Sequence, residues 1–189
     1  MQRRARPSIL SLFGLLGVLV ISTWLTLVSA NGHAEAAAST AASPERQAGR
    51  PIQVFFSRRP ESDGDFAAVF PVSRTAPDAG VARAALHELI AGPTPAEQDV
   101  GYFAELGQML YGPSTCGDDG FTIRIADGVA TVRFCRGLRS GGIGQDARLD
   151  STVKATLTQF PTIQRVRLLD QDGNCLLDMS GLNRCLVAI

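Results

Sequence analysis

The chain is poor in the residues that carry most enzyme chemistry. It has two histidines in 189 residues. His33 sits in an Ala-, Ser- and Gly-rich stretch with no apolar period. His87 precedes Glu88, but a zinc-protease helix needs a second His one turn on, and that place holds Ala91. His87 also falls on the polar side of its helix, which predicts a solvated surface side chain. There is no Gly-x-Ser-x-Gly elbow for a serine nucleophile. No Cys-x-x-Cys knuckle is present to hold zinc. The glycine loop Gly141-Gly142-Ile143-Gly144 lacks the Gly-Lys-Ser/Thr of a phosphate loop and reads as a flexible turn, with anion binding at the helix start as the alternative. Asp170-Gln171-Asp172-Gly173-Asn174 opens like a calcium loop but has no closing Glu at the right distance, so a hairpin turn is predicted. These absences predict no catalytic, cofactor-binding or metal-binding residues and no enzymatic activity.

Basic runs are missing too. Lys plus Arg equals Asp plus Glu at 18 each, and three of the arginines, Arg3, Arg4 and Arg6, are spent at the N-terminus. The rest is mildly acidic, which argues against nucleic acid as partner.

What the chain does have begins behind those arginines. Residues 9–28 are almost wholly apolar and are followed by Ser29 and Ala30. This predicts export, either by a signal peptide over 1–30 cleaved near Ala30 or by a retained membrane anchor, since about 20 apolar residues span a bilayer. Both place the remainder outside the cell membrane. Residues 31–50 predict a disordered linker, and residues 51–189 the folded domain. Four cysteines, Cys116, Cys135, Cys175 and Cys185, fit an exported chain with two disulfides. Three pairings can be drawn.

Alternation at Ile52, Val54 and Phe56 predicts a strand, and 66–74 a second one that Pro71 confines to an edge. Ala82, Ala85, Leu86, Leu89 and Ile90 mark one face of a helix, with Asp78 as its cap and Gly92-Pro93 as its stop. Residues 102–111 predict a structured lid with a helical turn near 103–110. Asp127-Gly128 between two alternating runs predicts a hairpin of 121–125 with 129–134. Its register sets Cys135 opposite Gly120, four residues from Cys116. That favours Cys116–Cys135 and leaves Cys175 with Cys185. A helix over 146–159, a strand over 166–169 and a returning strand over 175–179 complete the order β-β-α-β-β-α-β-β. Two helices cannot cover both faces of such a sheet, so the prediction is an α+β two-layer sandwich with both helices on one face of a mixed sheet. Arg124, Arg133, Arg165 and Arg167 then fall on its open face, a candidate partner surface.

Three segments, in order, resemble the GerMN domain, a family named after a sporulation and spore-germination protein. They are Ala85-Leu-His-Glu-Leu-Ile-Ala-Gly-Pro-Thr with Glu97 and Gly101; Asp127-Gly-Val-Ala-Thr-Val-Arg-Phe; and Thr156-Leu-Thr-Gln-Phe-Pro-Thr-Ile-Gln-Arg-Val with Asp172-Gly173. Pro71-Val72-Ser73-Arg74 also fits. The chain departs from the family at Val132-Arg133-Phe134-Cys135 and after Gly101. The resemblance implies a fold similar to ring-building motifs and an extracytoplasmic, membrane-tethered module without catalytic residues. It implies an envelope protein partner or self-association. The alternative is a peptidoglycan-binding domain or small hydrolase using a cleft under 102–111.

Overall fold

The computed structural model describes residues 49–187. The N-terminal apolar run and the predicted linker up to residue 48 lie outside the described residues. Among those described, no helix is long and apolar enough to cross a membrane. In chain order the elements are β1 (Arg50–Arg58), α1 (Glu61–Gly64), β2 (Phe70–Ala76), α2 (Val81–Ala91), α3 (Pro95–Asp99), β3 (Tyr102–Phe103), α4 (Leu106–Met109), β4 (Leu110–Tyr111), β5 (Phe121–Ala126), β6 (Val129–Phe134), β7 (Gly137–Leu138), α5 (Ile143–Thr158) and β8 (Arg165–Leu169). The fold is α+β.

β1 buries Ile52, Val54 and Phe56 and pairs antiparallel with β2, from Arg50↔Ala76 to Phe56↔Phe70. Arg50, at the end of the expected linker, thus already belongs to the sheet. Pro71 faces Phe55, whose N–H points away from β2 to Thr156 Oγ1 at 3.0 Å. Phe55 and Pro71 are therefore a non-hydrogen-bonded pair, and the proline's missing N–H falls on the free edge, where no ladder bond is lost. β2 starts four residues later than the periodicity suggests. Asp65 Oδ1 accepts the Ala67 N–H at 2.9 Å and holds that segment in a turn.

α2 buries Ala82, Ala85, Leu86 and Leu89. Its cap is not Asp78: Gly80, with φ 73°, occupies that position, and no side chain hydrogen-bonds the first turn. Gly92, with φ 82°, closes the helix as expected, its N–H donating to the Glu88 carbonyl. α5 begins at Ile143, three residues before the predicted start, and buries Leu149, Val153, Thr156 and Leu157. α2 and α5 pack on each other and on β1.

The predicted single sheet is instead two three-stranded sheets, β2-β1-β3 and β5-β6-β8, with a small β4-β7 pair. The reason is a covered edge. Gln159 Oε1 accepts the Gln53 N–H at 2.8 Å, and Thr156 Oγ1 accepts that of Phe55 at 3.0 Å, so side chains at the end of α5 and just past it occupy the edge a further strand would need. β5 and β6 form the hairpin, with Asp127 and Gly128 both at positive φ, 49° and 73°. β6 and β8 are parallel, joined through α5. One continuous core gathers the buried faces of both sheets and helices, including Phe56, Leu86, Phe121, Phe134, Leu149 and Leu157.

The returning strand over 175–179 reduces to one bridge, Leu169↔Cys175. Asp170 Oδ1 accepts the Asp172 and Asn174 N–H groups at 2.9 and 2.8 Å, and Asp178 Oδ2 accepts that of Arg184 at 2.8 Å. These carboxylates bend the backbone into turns instead of leaving it to extend. The 102–111 segment is ordered through β3, α4 and β4, with Leu106, Met109 and Leu110 buried.

Candidate functional site

The register of β5-β6-β8 fixes what each face carries. Phe121, Ala130, Val132, Phe134 and Leu168 point into the core. Arg124, Thr131 and Arg167 form one row across the opposite face, and Ala126, Val129 and Arg165 the next. With strands about 4.8 Å apart, Arg124 and Arg167 stand roughly 10 Å from each other, and Arg165 is one pleat along β8. A groove of about 490 Å³ runs over these three arginines, walled by Cys185 and Val187 of the C-terminal segment. None of the three makes an ion pair among the described residues. One carboxylate, Asp127, lies at the groove's end.

Arg133, the fourth arginine of this face, is set apart. Its Nη2 donates to the Gln171 carbonyl, which pins the turn after β8.

Two disulfides frame the region. Cys116–Cys135 ties residues 112–120 to the end of β6, with Cα atoms 5.7 Å apart, and the Cys135 N–H donates to the Gly120 carbonyl at 2.9 Å. Cys175–Cys185, with Cα atoms 5.9 Å apart, draws the C-terminal segment back beside the sheet, where Cys185 becomes groove wall.

The family-like residues of the α2–β3 region hold the backbone. Arg74 donates to both carboxylate oxygens of Glu97, at 2.8 and 2.7 Å, and through Nε to Glu88 at 3.1 Å. Glu97 Oε2 also accepts the Thr94 N–H at 2.8 Å, closing a capping box on α3. The Arg74 guanidinium, with help from the Thr94 amide, pulls the Glu97 carboxyl down to about 2. Gly101 has φ 94°, and a Cβ there would lie 3.0 Å from the Arg59 carbonyl oxygen. Sequence reading did not find the Arg74–Glu97 pair; its only trace was one arginine on an edge strand and one glutamate three residues after Thr94.

His87 is half exposed, as its position on the helix indicates, but it is not free. Its Nε2 lies 2.8 Å from Asp119 Oδ1, Arg83 pairs with the same carboxylate, and the ring tilts against Phe121 with centroids 5.0 Å apart. The cluster fastens α2 to the disulfide-bound loop. Among the described residues, no group of three His, Cys, Asp or Glu side chains is placed to hold a metal. Asp170 spends Oδ1 on its own turn. The groove under 102–111, about 530 Å³, is lined by Arg59, Gln98, Gln108 and backbone near Gly92 and Gly101, without a carboxylate.

A family model described as "Germane: Sporulation and spore germination" matches residues 53–176. Among solved structures, the first GerMN domain of the sporulation protein GerM from Bacillus subtilis is similar at 22% identity and a TM-score of 0.48, covering 69% of this chain and 88% of that one. The tandem GerMN domains of the same protein are similar at 19% identity and a TM-score of 0.46, with 74% of this chain and 48% of that one covered. No curated protein sequence matches. With its matched segment running from β1 to the turn after Cys175, the chain belongs to the Germane family of sporulation and spore germination.

Proposed function

We propose that this chain is a non-catalytic interaction module of the cell envelope, working outside the cytoplasmic membrane, and that the groove over Arg124, Arg165 and Arg167 is where its partner binds. The observation that carries this reading is that Arg124, Arg165 and Arg167 share one face of the sheet and none has an ion-pair partner among the described residues. Arg forms bidentate bonds to carboxylates and is enriched at interfaces, so an acidic segment of an envelope protein, or of a second copy, is the partner such a groove fits. Two disulfides, which persist in oxidising compartments, and the apolar run behind Arg3, Arg4 and Arg6 support the location. The lining of the 102–111 groove offers no acid–base pair to favour a hydrolase.

The test places a photo-crosslinking amino acid at Ala126 of the full chain in intact cells. The expected result is one dominant protein cross-link that disappears in Arg124→Gln/Arg165→Gln/Arg167→Gln. Cross-links unchanged by that variant, or none to any protein, would overturn the proposal. Sedimentation of the purified chain with peptidoglycan separates a wall ligand from a protein partner.

A further inference from the structure

A larger groove, about 680 Å³, shares no residue with the arginine face. It opens beyond the carboxyl ends of β6 and β8, which pair in parallel. Leu138 comes from the segment after β6, Asp170 and Asp172 from the turn after β8, and Ile143, Asp146 and Asp150 from the start of α5. The crevice outside the carboxyl ends of parallel strands is where α/β units take their ligands, and free amides at a helix start usually make that ligand an anion. Here the sign is reversed. Four aspartates line the groove and no Lys or Arg does.

The charges around it can be followed one by one. Asp150 is paired with Lys154 at 2.6 Å, and Asp170 Oδ1 takes the amides of its turn. Arg133 is engaged with the Gln171 carbonyl, and Arg139 lies 5.1 Å from the centroid of the Tyr111 ring at the rim. Asp146 and Asp172 remain, and neither carboxylate has a partner among the described residues. Oδ1 of Asp146 is buried and accepts no hydrogen bond. That oxygen is closed to solvent, so a visitor meets the carboxylate through its other oxygen, and a cationic side chain seated there offsets part of the cost of holding the charge half-buried. The same groove is mostly apolar elsewhere: Leu176 and Leu177 line it half-buried, while Ile143 and Met179 stand 85% and 95% exposed.

We propose that this groove docks a basic amphipathic segment of a partner protein, its apolar side chains on Ile143, Leu177 and Met179 and a Lys or Arg reaching Asp146 and Asp172. A metal fits poorly, because the described carboxylates do not converge as ligands. The ammonium group of a wall peptide would meet the aspartates but leave the apolar side chains in water, so a protein segment fits better. This second surface has opposite charge to the arginine face and does not depend on it.

The experiment is fluorescence anisotropy of the full chain with a labelled Leu/Lys amphipathic peptide and its Leu/Glu counterpart. Saturable binding of the Leu/Lys peptide alone is expected, weakened about tenfold or more, which is about 1.4 kcal/mol, in Asp146→Asn/Asp172→Asn. Met179→Ser weakens it too, and since that side chain is exposed the fold is unaffected; circular dichroism melts of all variants check this. Arg165→Gln/Arg167→Gln binds like the parent, which separates failure here from failure of the arginine-face reading. Equal binding of both peptides, parental affinity in Asp146→Asn/Asp172→Asn, or no saturation overturns the proposal. Loss of peptidoglycan sedimentation in that same double variant, without peptide binding, would assign the groove to the wall instead.

Discussion

Arg74 and Glu97 are joined by two parallel hydrogen bonds, Nη1 to Oε1 at 2.8 Å and Nη2 to Oε2 at 2.7 Å, which lock an edge strand to the short helix that follows α2. Both side chains are largely buried, at 14% and 20% exposure, so the pair is better shielded than a surface salt bridge. Glu97→Gln is expected to lower unfolding free energy by about 2 kcal/mol in urea denaturation at neutral pH.

The same carboxylate sets a pH dependence. Its folded-state value, about 2, lies below its ordinary value of 4.5, so the unfolded chain binds the proton more readily. The stabilisation is therefore complete above about pH 5 and drains away as the pH falls towards 2. Urea melts at a series of pH values should show the parent losing more stability than Glu97→Gln across that window. Parallel curves for the two proteins would contradict the assignment.

The disulfides close loops of different length, with sequence separations of 19 and 10. Removing Cys116–Cys135 as a double alanine variant should cost about 3 kcal/mol, and removing Cys175–Cys185 somewhat less. Thermal unfolding of each variant, and of the parent with reductant, measures this. The second variant carries a further expectation. It frees the wall of the arginine groove, so partner cross-linking at Ala126, measured well below either melting temperature, should fall more than in the Cys116–Cys135 variant.

Gly107 sits against α2. A Cβ there would come within 2.4 Å of the Ile90 carbonyl oxygen, so backbone has to shift to admit it. Gly107→Ala should destabilise by about 2 kcal/mol. Gly112 provides the comparison, since its φ of 73° is unfavourable for alanine but nothing lies within 4 Å of the added carbon. Gly112→Ala should cost about 1 kcal/mol.

At the start of α2 the roles of two residues can be separated by mutation. Asp78→Ala should leave stability within about 0.5 kcal/mol of the parent, because no side chain caps that helix. Gly80→Ala should cost about 1 kcal/mol through its φ of 73°. Chemical denaturation of the two variants side by side is sufficient.

Local chemistry was the legible part of this chain. Asp127-Gly128 announces its turn because few residue pairs tolerate two positive φ angles, and Ile52, Val54 and Phe56 announce a strand by strict alternation. The first turn of α5 is hidden in the sequence because Ile143 faces water and breaks the apolar period. Contacts between distant residues were not readable. Arg133 bonds a carbonyl 38 residues away, and Arg74 a carboxylate 23 residues away, so neither strand pattern betrayed which arginine was engaged and which free. The single sheet failed for the same reason: Thr156 and Gln159 meet β1 across more than 100 residues of chain. The aspartates of the larger groove lie in a helix and in a turn distant along the chain, and only the parallel pairing of β6 and β8 brings those segments together.

The side chains of Thr156 and Gln159 on β1 have a wider effect. A bare strand margin invites a foreign chain to zip on through its main-chain amides, a contact blind to sequence. Here a helix satisfies two of those amides, at Gln53 and Phe55, before any visitor arrives. Along this margin recruitment by backbone annealing is closed, and selectivity rests with the shape and charge of surface side chains.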